Sequence, residues 1–214
     1  MTKACIRSAR PGDAPFLAWL ILTAGRAHVG RGIWEVILDA PEDRCLAFFD
    51  ALAVTEEPHL FHHSCYRVVE VGGNPVAGLG GYDPEVLGYP ALQRTLPELL
   101  QRTGIPIRGE MREDGSPRII QCVPPAVEGA WVIDSVATRP GFRRRGLVSV
   151  LIEDILERGR RQGFRRAQIT IYIGNEPACR AYEKHGFRIL DEIRDPYFEA
   201  RIGSPGMARL VRDL

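Results

Sequence analysis

Apolar positions along the chain switch between a period of two and a period near 3.6, and the elements follow from where the switch occurs. Ala130 to Thr138, AWVIDSVAT, is apolar on both faces and rich in β-branched residues, which predicts a strand covered on both sides. Asp134 is its odd member. Leu147, Val148, Leu151, Ile152, Ile155 and Leu156 then recur at three and four, predicting a helix that Gly163 stops. From Ala167 to Ile173, Ile169, Ile171 and Ile173 alternate with Gln168, Thr170 and Tyr172 as a strand. Asn175-Glu176-Pro177 predicts the cap of a further helix, which Gly186 ends.

The upstream text has the same punctuation. Cys5 to Ala9 predicts a first strand, and Gly12-Asp13-Ala14-Pro15 reads as an N-cap and first-turn proline for a helix burying Phe16, Leu17, Leu20 and Ile21. Asp39-Ala40-Pro41-Glu42 repeats that signal for a helix through Leu46, Phe49 and Leu52. Gly25 to Trp34 reads as a Gly/Arg-rich connection whose Ile33 and Trp34 fold back on the core. Tyr66 to Val71 and Val76 to Gly80 predict a hairpin around Gly72-Gly73-Asn74-Pro75. Tyr89 to Gln101 reads as a helix through Leu92, Leu96, Leu99 and Leu100, followed by polar, Gly/Pro-punctuated text from Ile105 to Pro125. Phe187 to Ile193 and Met207 to Leu214 predict the last strands.

Composition narrows the class. A chain of 214 residues, 45% hydrophobic and 26% charged, suits one sizeable core and therefore one domain over residues 1–214. The net charge of +1 leaves no global field for nucleic acid or an anionic membrane. There is no apolar span of membrane length and no apolar signal-peptide core at the N-terminus, so a cytoplasmic location with no membrane partner is expected. The five cysteines are widely spaced, with no CxxC pair, and read as reduced thiols. His59-Leu60-Phe61-His62-His63 lacks carboxylates or cysteines at ligand spacing, so it reads as a solvated loop and no metal is expected.

The chemistry concentrates where the Ala130 strand runs through Arg139-Pro140-Gly141-Phe142-Arg143-Arg144-Arg145-Gly146 into a helix. A helix N-terminus carries unpaired N–H groups and the positive pole of the dipole, and three arginines add full charges beside it. Capture of a phosphate or pyrophosphate is implied. Gly141 to Gly146 has the glycine spacing of a Walker loop, but Leu147 and Val148 stand where Lys and Ser/Thr are required. No dinucleotide fingerprint of three spaced glycines is present.

Arg143-Arg144-Arg145-Gly146-Leu147-Val148 resembles the acyl-CoA-binding turn of the GNAT superfamily of N-acetyltransferases, and Asn175, Ala178, Tyr182 and Gly186-Phe187 resemble that family's second motif. Val148 departs from it, standing where a small residue is usual. The resemblance implies an α/β (α+β) fold with a central mixed, mostly antiparallel sheet flanked by helices. Here a helical and loop segment, about 84–127, is inserted between the third and fourth strands. It further implies acetyl-CoA as cosubstrate, held by Val136, Ala137, Thr138, Arg143, Arg144, Arg145, Gly146, Leu147, Val148, Ser149, Asn175 and Ala178. A backbone N–H near Val136 is the implied oxyanion donor, and Tyr182 is either the implied proton donor to the CoA sulfur or, with Ala178, plain core packing. Asp134 reads as general base for the amine, as an orienter of its ammonium form, or as a satisfied structural carboxylate.

Alternatives stand beside several of these. Asn175 is as much a helix cap as a cofactor contact, and Arg139 and Arg144 are either phosphate ligands or solvated charges. Cys179 and His185 sit on one helix but about 240° apart around its axis, so they make no nucleophile–base pair. The Arg139 to Arg145 cluster with Arg158, Arg160, Arg161, Arg165 and Arg166 suggests a nucleic-acid footprint, but Glu153, Asp154 and Glu157 interleave with the later arginines as on a salt-laced surface. A silent CoA-binding sensor or a nucleic-acid or protein-binding module is the alternative to an enzyme. The acceptor is an amine on a small molecule or peptide. A cationic one is favoured if Asp83, Glu85 and Asp134 converge, and the inserted segment, about 84–127, is expected to wall its pocket. A homodimer is left open.

Overall fold

The structure is a computed structural model describing residues 4–214. In chain order the elements are β1 (Cys5–Ser8), α1 (Ala14–Arg26), α2 (Ile33–Leu38), α3 (Glu42–Leu52), β2 (Tyr66–Val71), β3 (Asn74–Tyr82), α4 (Pro84–Leu87) and α5 (Tyr89–Thr103). There follow β4 (Ala130–Thr138), α6 (Leu147–Arg161), β5 (Arg166–Tyr172), α7 (Glu176–Glu183), β6 (Arg188–Arg194), α8 (Pro196–Ile202) and β7 (Gly206–Asp213).

The seven strands form one sheet in the order β1-β2-β3-β4-β5-β7-β6, antiparallel except for the parallel pair β4–β5. The strand text dictates the two covered faces. Val132 and Ala137 of β4 join Leu17, Leu20, Ile21, Phe49 and Val68 in a core under α1 and α3. Trp131 and Ile133 join Leu151, Ile155 and Ile169 in a second core under α6. Each buried aliphatic side chain contributes about 1.5–3 kcal/mol, so these two apolar layers hold the sheet.

Val132 and Ala137 cannot share a face in an unbroken strand, because alternation has a period of two. A bulge reconciles them. The register runs Gly80↔Asp134 and then Gly78↔Ala137, so Ser135 and Val136 together oppose Leu79, and Ser135 takes φ +53°. β4 pairs with β5 only as far as Ile133↔Ile169, while β5 continues with β7 to Tyr172↔Met207. Beyond the bulge the two parallel strands part and open a cleft.

The sequence misplaces several local features. Asp39 is not a cap for α3; it closes α2 in the left-handed region at φ +43°, and Pro41 is the residue that leads α3. The Gly25 to Trp34 connection contains the start of α2, although Ile33 and Trp34 do pack inward as expected, Trp34 edge-on to Phe49 and Phe61. The histidine run is not a solvated loop. His59 is 0% exposed and His62 8%, because His59 accepts from the Phe61 N–H and meets the Thr55 hydroxyl at 3.0 Å, tying the loop internally. Among the described residues no group of His, Cys, Asp and Glu is arranged to hold a metal ion, and no helix is long and apolar enough to cross a membrane.

Candidate active site

The cleft between β4 and β5 widens into a cavity of about 760 Å³. Its walls come from the end of α1 and the α1–α2 connection, the C-terminal end of β3, the start of α5, residues 123–126, both parted strands, the turn before α6, and α7. Of the residues the sequence singled out, Asp134, Val136, Ala137, Thr138, Arg143, Arg144, Gly146, Leu147, Val148, Ser149, Asn175, Ala178 and Tyr182 all line it.

The turn before α6 is shaped by two left-handed residues, Arg144 at φ +61° and Gly146 at φ +75°. Gly146 is the N-cap of α6 and offers no side chain, so the first N–H groups of a 15-residue helix are left for a ligand. Alternation of ordinary and left-handed residues curls successive N–H groups toward one point, the concave arrangement that suits an anion. Nothing lies within 4 Å of the position a Cβ would take on Gly146. Arg143 is braced by donating Nε–H to the Thr138 carbonyl at 3.2 Å.

Arg145 does not join this cradle. Its guanidinium turns back to donate to the Gly141 carbonyl at 2.9 Å and lies over the Phe142 ring, so it stiffens the turn from outside the cavity. Arg139 is also engaged elsewhere, stacked 3.9 Å from the Trp19 ring centroid. Asn175 does cap α7, accepting from the Ala178 N–H at 3.4 Å, and lines the cavity as well.

Asp134 stands at the bulge. Its Oδ1 accepts the Ser135 N–H at 2.6 Å, which satisfies a donor the irregular backbone would otherwise strand. Burial raises its carboxyl above the usual carboxylate range, against the lowering effect of that hydrogen bond. Four tyrosines, Tyr66, Tyr82, Tyr89 and Tyr182, have phenols raised first by burial and then by the Asp134 charge. Tyr182 packs edge-on to Phe187 and stays protonated across the physiological range.

The geometry also removes candidates. Asp83 caps α4 by accepting from the Glu85 N–H, and neither Asp83 nor Glu85 lines the cavity, so the expected convergence of three carboxylates does not occur. The inserted segment reaches the cavity through Pro84, through Gly88, Tyr89 and Pro90 and through Val123 to Ala126, while 91–109 stand away from it. Cys179 and His185 are outside the cavity. On the α6 surface Arg160 and Arg161 pair with Glu157, Arg67 takes Asp154 in a double hydrogen bond, and Arg158 donates to the Ser64 carbonyl, the salt-laced arrangement.

Sequence reasoning passed over Trp34, Tyr82, Tyr89 and Tyr172, which line the cavity, and Tyr66, whose buried ring lies across Gly80 from Asp134. These residues come from separate elements and carry no shared spacing. Only their aromatic character was visible.

The structure is similar to that of an N-acetyltransferase from Staphylococcus aureus Mu50, with TM-score 0.70 and 21% identity over 97% of this chain and 100% of that one. It is similar to SsHAT, with TM-score 0.67 and 20% identity over 99% and 98%. N-acetylglutamate synthase from Neisseria gonorrhoeae, solved with coenzyme A and N-acetyl-glutamate, aligns with all of this chain but 36% of its own, at TM-score 0.52 and 16% identity. No curated protein matches in sequence. The Acetyltransferase (GNAT) family profile matches residues 32–187, spanning the cradle, Asp134 and Tyr182; with its parted β4–β5 strands and N-terminal cradle on α6, the chain belongs to the GNAT acetyltransferase family.

Proposed function

We propose that this protein transfers an acetyl group from acetyl-CoA directly to a primary amine, with both substrates bound at once. The observation that carries the reading is one continuous cavity joining an anion cradle at the α6 N-terminus to Asp134 and Tyr182. The cradle fits the pyrophosphate of CoA in charge and shape, since its N–H groups are uncapped and Gly146 leaves open space. Acetyl-CoA supplies an acyl group already activated as a thioester.

The chain's own residues supply the rest. Leu147, Val148 and Ser149 present first-turn N–H groups, and Arg143 and Arg144 add charge. β4 beyond Ile133 has no partner on its β5 side, so its backbone near Val136 is free to donate to a carbonyl oxygen. Asp134, made more basic by burial, holds the amine and takes its proton. Tyr182, kept protonated, gives a proton to the departing sulfur.

A thermal-shift titration with acetyl-CoA beside Gly146→Glu tests this. Ligand at a hundred times Kd stabilises by about 2.7 kcal/mol, a shift of several degrees for a chain of this size. A shift in the wild type that Gly146→Glu abolishes supports the cradle. No shift in either removes the reading.

A further inference from the structure

We infer that the acceptor is a primary monoamine carried on a small apolar, aromatic body. This rests on the transferase reading above. The cavity beyond Asp134 is walled by Trp34, Tyr82, Tyr89, Tyr172, Pro124 and Pro125. The charged side chains that line the cavity are Asp134, Arg143 and Arg144, and the two arginines belong to the anion cradle. At the acceptor end Asp134 is alone.

Nearby charges are spent elsewhere. Glu35 accepts from Arg26 at 2.9 and 2.8 Å and from the Gly32 N–H at 2.9 Å, while Arg31 pairs with Asp39. Two of the wall's polar side chains, Tyr172 and Gln168, are also used internally. The Tyr172 hydroxyl donates to the Gly25 carbonyl and accepts from the Ile33 N–H. Gln168 accepts from the Val127 N–H and donates to the Pro125 carbonyl, which Arg209 also engages. What the wall offers a ligand is therefore ring faces, proline edges and the neutral hydroxyls of Tyr82 and Tyr89, with no second charge.

A second ammonium on a polyamine, or the α-carboxylate of an amino acid, would lose its water there and meet no counter-charge, a heavy cost. An aromatic ring gains its burial and offset contacts with the surrounding rings. One amine, matched by one carboxylate, is the charge the site accommodates.

The test is CoA release from acetyl-CoA with a matched set of acceptors. The set is 2-phenylethylamine, phenylalanine (the same body with a carboxylate), spermidine and a lysine-bearing peptide. We expect kcat/KM for 2-phenylethylamine to exceed each of the others by roughly 10²-fold or more. Tyr89→Asp, which adds a second carboxylate, should shift the ratio of 1,6-diaminohexane to hexylamine toward the diamine by at least about tenfold. Equal rates across the set, or a preference for spermidine, phenylalanine or the peptide, overturns the inference while an acetyl-CoA thermal shift keeps the transferase reading intact. If acetyl-CoA gives no shift, the transferase reading fails separately. Binding of 2-phenylethylamine in preference to phenylalanine and spermidine, followed by tryptophan fluorescence, then still supports the apolar site, and equal or absent binding overturns it.

Discussion

The Tyr172 hydroxyl, at the end of β5, donates to the carbonyl of Gly25 at the end of α1, 2.6 Å away and 147 residues earlier in the chain. It also accepts from the Ile33 N–H at 3.0 Å, so one phenol fixes both sides of the α1–α2 connection to the strand that borders the cleft. Gly25 is required there because a Cβ would come within 2.3 Å of the Trp34 ring. Tyr172→Phe leaves a buried carbonyl and N–H unpaired, at a cost of about 1–3 kcal/mol. Steady-state kinetics should show acceptor KM raised about tenfold or more with the KM for acetyl-CoA unchanged; the reverse pattern would place Tyr172 on the cofactor side.

Asp134→Asn keeps an oxygen to accept the Ser135 N–H but cannot take a proton. Its kcat/KM should fall by roughly 10²-fold or more, and the acidic limb of the wild-type pH–rate profile should disappear. An unchanged limb would remove Asp134 as the base. Stability should move the other way. A carboxyl raised in the folded state favours folding below the ordinary carboxylate pKa, and that contribution is lost as pH rises through the folded value. The asparagine variant should therefore melt higher than wild type at neutral pH, with the gain vanishing in acid.

Tyr66, Gly80 and Asp134 stand in line across β2, β3 and β4, and the missing side chain of Gly80 lets the Tyr66 ring lie over the strand. A Cβ on Gly80 would meet that ring at 3.2 Å. Gly80→Ala should destabilise by about 1–3 kcal/mol through overpacking and lower the turnover. The Tyr66 hydroxyl is buried and has no hydrogen-bond partner among the described residues, so Tyr66→Phe should leave Tm unchanged or raised. Denaturant melts of the two variants check both signs.

Arg145 braces the turn instead of facing the cavity. Arg145→Ala should change acetyl-CoA affinity by less than about fivefold, in contrast to Gly146→Glu. Calorimetric titration of the two variants makes the comparison.

His59 and His62 are both lowered to about 4, chiefly by burial, with the charge of the neighbouring histidine second in each case. Their neutral forms are the folded ones, so the contribution is full above the ordinary histidine pKa near 6.5 and is lost as pH falls through about 4. Tm should decline steeply over that window. His59→Asn should flatten the decline, and a parallel decline in the variant would assign the acid sensitivity to other groups.

Local signals carried much of the fold. β4, α6 and β5 were legible because their apolar residues repeat at the period of their own backbone. The cradle was legible because a strand, a glycine turn and a helix start lie within a dozen consecutive residues. α2 was hidden because six residues, IWEVIL, are too few to show a helical period inside a Gly/Arg-rich connection. α8 was missed despite Asp195 capping the Tyr197 N–H, a signal present in Asp195-Pro196. The burial of the histidine run depends on Thr55 and Phe61 closing around it, which no spacing rule encodes.

By itself, then, the sequence determined the apolar layers, the order of the longer strands and helices and the glycine turn that starts α6, because each is written in neighbouring residues. Tertiary structure alone decided the cavity. The Ser135 bulge sets where β4 leaves β5, and that parting brings Trp34, Tyr82, Tyr89 and Tyr172 around one carboxylate. Arg145 and Asp83 are turned to nearer backbone partners, the Gly141 carbonyl and the Glu85 N–H, and Glu85 lies outside the cavity. Contacts between residues far apart in the chain depend on how strands pair and diverge, and no local repeat records that.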